Sequence, residues 1–123
     1  MSSGSHEVDS KCAYSVPHYR FILRRAKELG YWLPKVRDVA SGLPDRDFFL
    51  VRHDVDITPW AALELAKIEH EEGVETTYYY RFHAPFYNLL DEAAAATVQQ
   101  VADLGHEVGL HYEPGYFLSL IHI

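Results

Sequence analysis

At 123 residues, 48% of them hydrophobic, the chain holds enough apolar side chains for one domain with a modest core and no more. Its formal net charge is -7 and its eleven basic residues are scattered, which excludes the basic stripe of a nucleic-acid-binding surface. The single cysteine, Cys12, excludes an internal disulfide and points to a reducing compartment. No apolar segment approaches the roughly 20 residues of a membrane span. The opening MSSGSHEVDSK also lacks the basic start and apolar middle of a signal peptide, so the sequence reads as soluble and cytoplasmic.

Residues 1–13 are small, polar and aperiodic, the composition of a disordered tail. From Ser15 the pattern changes: Tyr19, Ile22, Leu23, Ala26 and Leu29 recur at helical spacing, with Ser15 placed to cap the helix and Gly30 to stop it. Pro34, Gly42 and Pro44 then predict a loop with one turn of structure inside it. A strand is predicted at about 47–54, where the continuous apolar run Phe48 to Val51 suits a strand covered on both faces. The next helix has clear punctuation: Thr58 as cap, Pro59 at the first helical position and Gly73 at the exit. Trp60 to Leu63, Leu65, Ala66 and Ile68 supply its buried side, while Glu64, Lys67, Glu69, Glu71 and Glu72 read as a solvated face.

TTYYYRF at 76–82 has the β-branched and aromatic composition of a second strand, its three tyrosines serving as core and sheet filler. HAPFYN follows as a loop. A helix from about Asp91 to Leu104 and a short strand HEVGLHY at 106–112 complete the pattern. Strands separated by helices of this length are joined by crossovers, so the three should be parallel and end at one rim. In such sheets and barrels that C-terminal rim is where function collects, and it gathers His53, Asp54 and Asp56, Arg81 and His83, and His111 and Glu113.

RHDVDITP, at 52–59, is the stretch richest in chemistry. Alternation along a strand puts Asp54 and Asp56 on one side and His53 and Val55 on the other. Two carboxylates together are either a helix cap with a solvated neighbour, or a divalent-metal site in which one carboxylate binds the ion and the other acts as base. His111 ends the third strand, and in a closed parallel barrel alternate strands fill one interior layer, so Asp56 and His111 could reach one ion. His106 lies at the opposite end of that strand and reads as structural. Arg81 and His83 either line a substrate cleft or belong to a surface loop. There is no Gly-rich phosphate loop, no CxxC and no GxSxG.

RHDVDITP, TTYYYRFHAPFYN and LGHEVGLHYE, in that order, resemble the polysaccharide deacetylase superfamily, the NodB-homology or carbohydrate esterase family 4 fold, and more narrowly its HDVD-type branch. The likeness runs from about Tyr14 to Glu113, within a domain drawn at residues 14–117, and covers only the first half of the family's domain. It implies an α/β fold, a partial irregular (β/α) barrel normally of seven strands, of which about three parallel strands are present. It also implies metal-dependent hydrolysis of the C–N amide bond of N-acetyl sugars, with Asp54 as the general base and Asp56 and His111 as ligands of a divalent metal, zinc or else cobalt or another ion. The implied substrate is a carbohydrate or glycan precursor.

Two departures stand out. The family's second histidine ligand falls at Gly115, leaving Glu113 or His53 as substitutes. The family's later motifs lie beyond Ile123, and LSLIHI at 118–123 matches one reading frame of a sequencing-library adapter. The expectation is therefore a truncated, inactive fragment with a non-native end. The alternatives are a non-catalytic carbohydrate-binding or scaffolding homologue that has lost the metal, and a hydrolase of another amide such as a cyclic ureide.

Overall fold

The structure, a computed structural model, describes residues 15–56 and 58–111. Helix α1 spans Val16–Glu28, and Ser15 caps it as its sequence predicts, its Oγ accepting from the His18 N–H at 3.2 Å. Its inward side buries Leu23 and Ala26. The predicted single turn between the prolines is α2, Val36–Val39.

The first strand differs from expectation. Strand β1 is Arg52–Val55, not 47–54, and Phe48 makes only an isolated parallel bridge to Trp32. The apolar run serves another purpose: Phe49 borders a groove with Phe21, Ile22 and Ala26 of α1, and Leu50 is exposed. Nor is β1 covered on both faces. Arg52 and Asp54 are exposed, while His53 is half-buried and Val55 buried.

Helix α3, Pro59–Glu71, starts at Thr58, whose Oγ accepts from the Trp60 N–H at 3.2 Å, and ends before Gly73, whose φ of 73° is the left-handed conformation glycine tolerates best. Strand β2, Thr77–Arg81, follows. The segment expected as a loop contains a small antiparallel hairpin, β3 (His83–Ala84) with β4 (Tyr87–Asn88). Two-residue strands are too short for any periodicity to reveal. Tyr87 ties this hairpin to the sheet, its hydroxyl donating to the Val55 carbonyl and accepting from the Arg81 N–H at 2.8 Å. Helix α4, Glu92–Asp103, is capped by Asp91, and strand β5 is Glu107–His111.

The chain is thus an α/β protein with a three-stranded, wholly parallel sheet in the order β1-β2-β5. Val55, Tyr78 and Tyr80 on one face of the sheet pack with Ala62, Leu63 and Ala66 of α3 and Val101 of α4. This is the core.

Glu69 and Glu72 correct the solvated face predicted for α3. Glu69 is fully buried. One oxygen, Oε1, accepts from the hydroxyls of Thr76 at 2.7 Å and Tyr78 at 2.6 Å. The other, Oε2, accepts from the Tyr19 hydroxyl and from His53 Nε2 at 2.6 Å. Burial alone would raise its pKa, but the bonds from His53, Tyr19 and Tyr78 outweigh it and hold the carboxyl below its ordinary value. Burial and the Glu69 charge together push the Tyr19 and Tyr78 phenols up, so both remain donors.

Glu72 is the second clamp. Arg24 and Arg20 of α1 bond its carboxylate at 2.7–2.8 Å and hold its pKa at about 2 against the smaller effect of burial, and Lys27 Nζ donates to its carbonyl at 2.8 Å. Glu71 is on the exposed side, paired with Arg20 at 2.7 Å. His106, by contrast, is structural as expected: buried, with Nδ1 accepting from the Thr76 N–H at 3.0 Å and Nε2 donating to the Ala66 carbonyl at 2.9 Å.

Two outcomes follow from these carboxylates. Both have folded pKa values below the ordinary 4.5, so the unfolded chain binds more protons in acid. Their contribution is present above that value and is lost as pH falls through the lowered folded values. Urea-denaturation midpoints should hold near neutrality and fall from about pH 4.5 towards pH 2, with a shallower fall in Glu72→Gln. Glu69→Gln, which turns an amide NH2 towards hydroxyl donors, should cost roughly 3 kcal/mol or more by the same measurement.

Candidate functional site

The face of the sheet away from α3 and α4 is polar, and strand register divides it into three rows. Arg52, Thr77 and Glu107 form the lowest, Asp54, Tyr79 and Gly109 the middle, and Arg81 and His111 the upper, with Asp56 one step beyond Val55 in line with them.

The lowest row is closed off by α2. Thr77 donates its hydroxyl to Glu107 Oε1 at 2.9 Å and accepts from the Val36 N–H at 2.9 Å, while the Arg37 N–H donates to the same Glu107 oxygen at 3.0 Å. Beyond these bonds Asp54 and Asp56 are exposed, while Tyr79, Gly109, Arg81 and His111 are half-buried.

Arg52 reaches from the lowest row to the middle one, where it performs two tasks. Its Nε donates to Asp54 Oδ1 at 2.9 Å, and its guanidinium lies 4.5 Å from the centroid of the Tyr79 ring. The ring in turn lies across Gly109, where an added Cβ would come within 2.6 Å of Tyr79 Cε1. Tyr79 is therefore not core filler like Tyr78 and Tyr80, which are buried against the helices. The alternation that separates Asp54 from His53 also separates these tyrosines and was available in the sequence. Arg52, two residues before Asp54 on the same face, is the site neighbour that sequence reasoning missed.

In the upper row His111 Nδ1 is buried with no hydrogen-bond partner among the described residues. Asp56 is exposed. Two strand spacings, about 10 Å of backbone separation, lie between them. The donor set of a carboxylate oxygen and an unpartnered imidazole nitrogen suits zinc. No group of three His, Cys, Asp or Glu side chains close enough to hold a metal occurs among the described residues. Arg81 stands between the two candidates in the row.

His53 is placed elsewhere. It is turned to the helix-covered face, its ring 4.5 Å from that of Tyr78 and its Nε2 bonded to Glu69, so it does not join Asp54 and Asp56 on the open face. Alternation dictates this, and the buried carboxylate holds it. Glu113 lies outside the described residues, as does the side chain of His83. The edge of β1 that no described strand pairs opens into a cleft of about 570 Å3, bordered by His53 and Tyr78 on the helix side and by Asp54, Asp56 and Thr58 at the rim. No described helix is long and apolar enough to cross a membrane.

Gly109→Ala is expected to cost about 1–3 kcal/mol in urea denaturation, because the new methyl group displaces the Tyr79 ring and with it the Arg52 contact. In the Tyr79→Ala background the same substitution should cost almost nothing, since the two effects share one contact.

No family model, curated protein or solved structure matches the chain.

Proposed function

We propose that the chain is part of a metal-dependent hydrolase that removes acetyl groups from N-acetylated sugars, built on an incomplete (β/α) barrel. The observation that carries this reading is the upper row: a carboxylate, and an imidazole whose buried Nδ1 has no partner among the described residues, at the C-terminal ends of two parallel strands, the rim where α/β proteins place their chemistry. The motif resemblance in RHDVDITP and LGHEVGLHYE supports the same assignment.

Asp56 and His111 would hold the ion, which when bound acidifies a water and polarises the amide carbonyl. Asp54 takes the proton. Arg52 fixes Oδ1 of Asp54 at 2.9 Å, and Oδ2 would be the oxygen that accepts the proton. Tyr79, held between Arg52 and Gly109, steadies in turn the guanidinium that bonds Asp54. A second reading, a carbohydrate-binding domain without catalysis, draws on one observation: the absence of a third ligand among the described residues.

The two readings separate by calorimetric titration of the chain with zinc. One ion per chain is expected to bind, and Asp56→Ala and His111→Ala should each abolish stoichiometric binding. Unchanged binding in both variants would overturn the assignment of the ion to this row.

A further inference from the structure

The cleft at the edge of β1 lies partly outside the upper row, and its helix-side wall contains a feature the proposed reaction does not use. His53 borders the cleft, and its side chain is 19% exposed. Glu69 is held as a carboxylate and so can only accept, which obliges His53 Nε2 to carry the hydrogen at the 2.6 Å contact. In a neutral imidazole whose Nε2 bears the hydrogen, Nδ1 bears the lone pair. Nδ1 has no hydrogen-bond partner among the described residues and is not one of their sealed, unsatisfied atoms.

The ring is also fixed in orientation. Tyr78 lies against it at 4.5 Å between centroids, and Tyr19 meets it edge-on at 6.3 Å. Both tyrosines donate to the same carboxylate that His53 bonds. The arrangement is a buried carboxylate orienting an imidazole whose other nitrogen, Nδ1, has no partner among the described residues.

The rest of the cleft limits what could bind there. Its polar rim is rich in acceptors, Asp54 and Asp56, while Leu65, Ala61 and Ala62 supply an apolar wall. Arg52 offsets the charge of Asp54, so the lining does not demand a highly charged ligand. An apolar wall facing several acceptors matches a neutral molecule rich in hydroxyl donors, that is, a sugar.

We propose that His53 is a sugar-contacting residue of this cleft, with Nδ1 accepting a ligand hydroxyl, and that Glu69 is its positioning residue. The class of ligand rests on the carbohydrate reading above; the tautomer and orientation of His53 do not.

The test is nitrogen-15 NMR of the His53 ring in metal-free protein, alone and during titration with N-acetylglucosamine tetramer. The proposal expects a protonated Nε2 and an unprotonated Nδ1, and a change at Nδ1 as the sugar saturates. Ala61→Trp, on the exposed rim of the cleft and away from the Glu69 bonds, should abolish that change while leaving the tautomer intact. Glu69→Gln, where it folds, should lose both the fixed tautomer and the response. An unprotonated Nε2, an Nδ1 unmoved by saturating sugar, or a response that persists in Ala61→Trp would each overturn the proposal. A change at Nδ1 with zinc alone would also overturn it, because His53 would then be a metal ligand. Failure of zinc to bind the upper row leaves the tautomer and the sugar response unaffected, so the two readings fail separately.

Discussion

A carboxylate with no exposure to water would ordinarily be among the most costly groups in a small domain. Glu69 is tolerable because each oxygen receives two donors, and those donors come from α1, β1, β2 and the residue before β2. The arrangement also works in reverse. Each donor is itself a buried or half-buried polar group that would need a partner, and one side chain supplies it to all four. The sheet is therefore fastened to its first and third helices by a polar knot beside the apolar core of Val55, Leu63, Ala66 and Val101. Such a knot costs more to disturb than to keep, and its geometry is narrower than that of packed hydrocarbon.

The two faces of the sheet divide the work. The helix face is occupied by tyrosines and aliphatic side chains and holds the fold. The open face is graded from a closed end, where α2 satisfies Thr77 and Glu107, to an end carrying Asp54, Arg81 and His111. The gradient follows from parallel topology, which aligns all strand C-termini on one rim. Residues that interact at that rim are far apart in sequence yet lie in one or two rows of register, and the Tyr87 hairpin braces the ends of β1 and β2 beneath them.

Much of this was legible because the deciding forces are local. Ser15 and Thr58 cap their helices through bonds spanning two or three residues, and the prolines and glycines beside them act on backbone dihedrals alone. The opposition of His53 to Asp54 follows from the pleat. The failures share a cause as well. Glu69 looks like Glu64 or Glu71 in sequence, and only the arrival of Tyr19 from 50 residues away and His53 from 16 makes it an interior residue. Phe48 to Val51 resemble a strand because they are apolar, but the partner they meet includes α1, and the ladder begins only at Arg52. The role of Tyr79 depends on a missing side chain at Gly109 in another strand, which no local pattern records.

The attachment of α1 has a consequence for how the molecule opens. The helix contributes a hydroxyl to Glu69 and three basic side chains, Arg20, Arg24 and Lys27, to the end of α3. Peeling it away would leave a buried carboxylate short of a donor at the moment the surface clamp is lost. An N-terminal helix on the outside of a sheet commonly frays by itself, but here its amides should exchange with solvent only when those of α3 do, making the pair one cooperative unit.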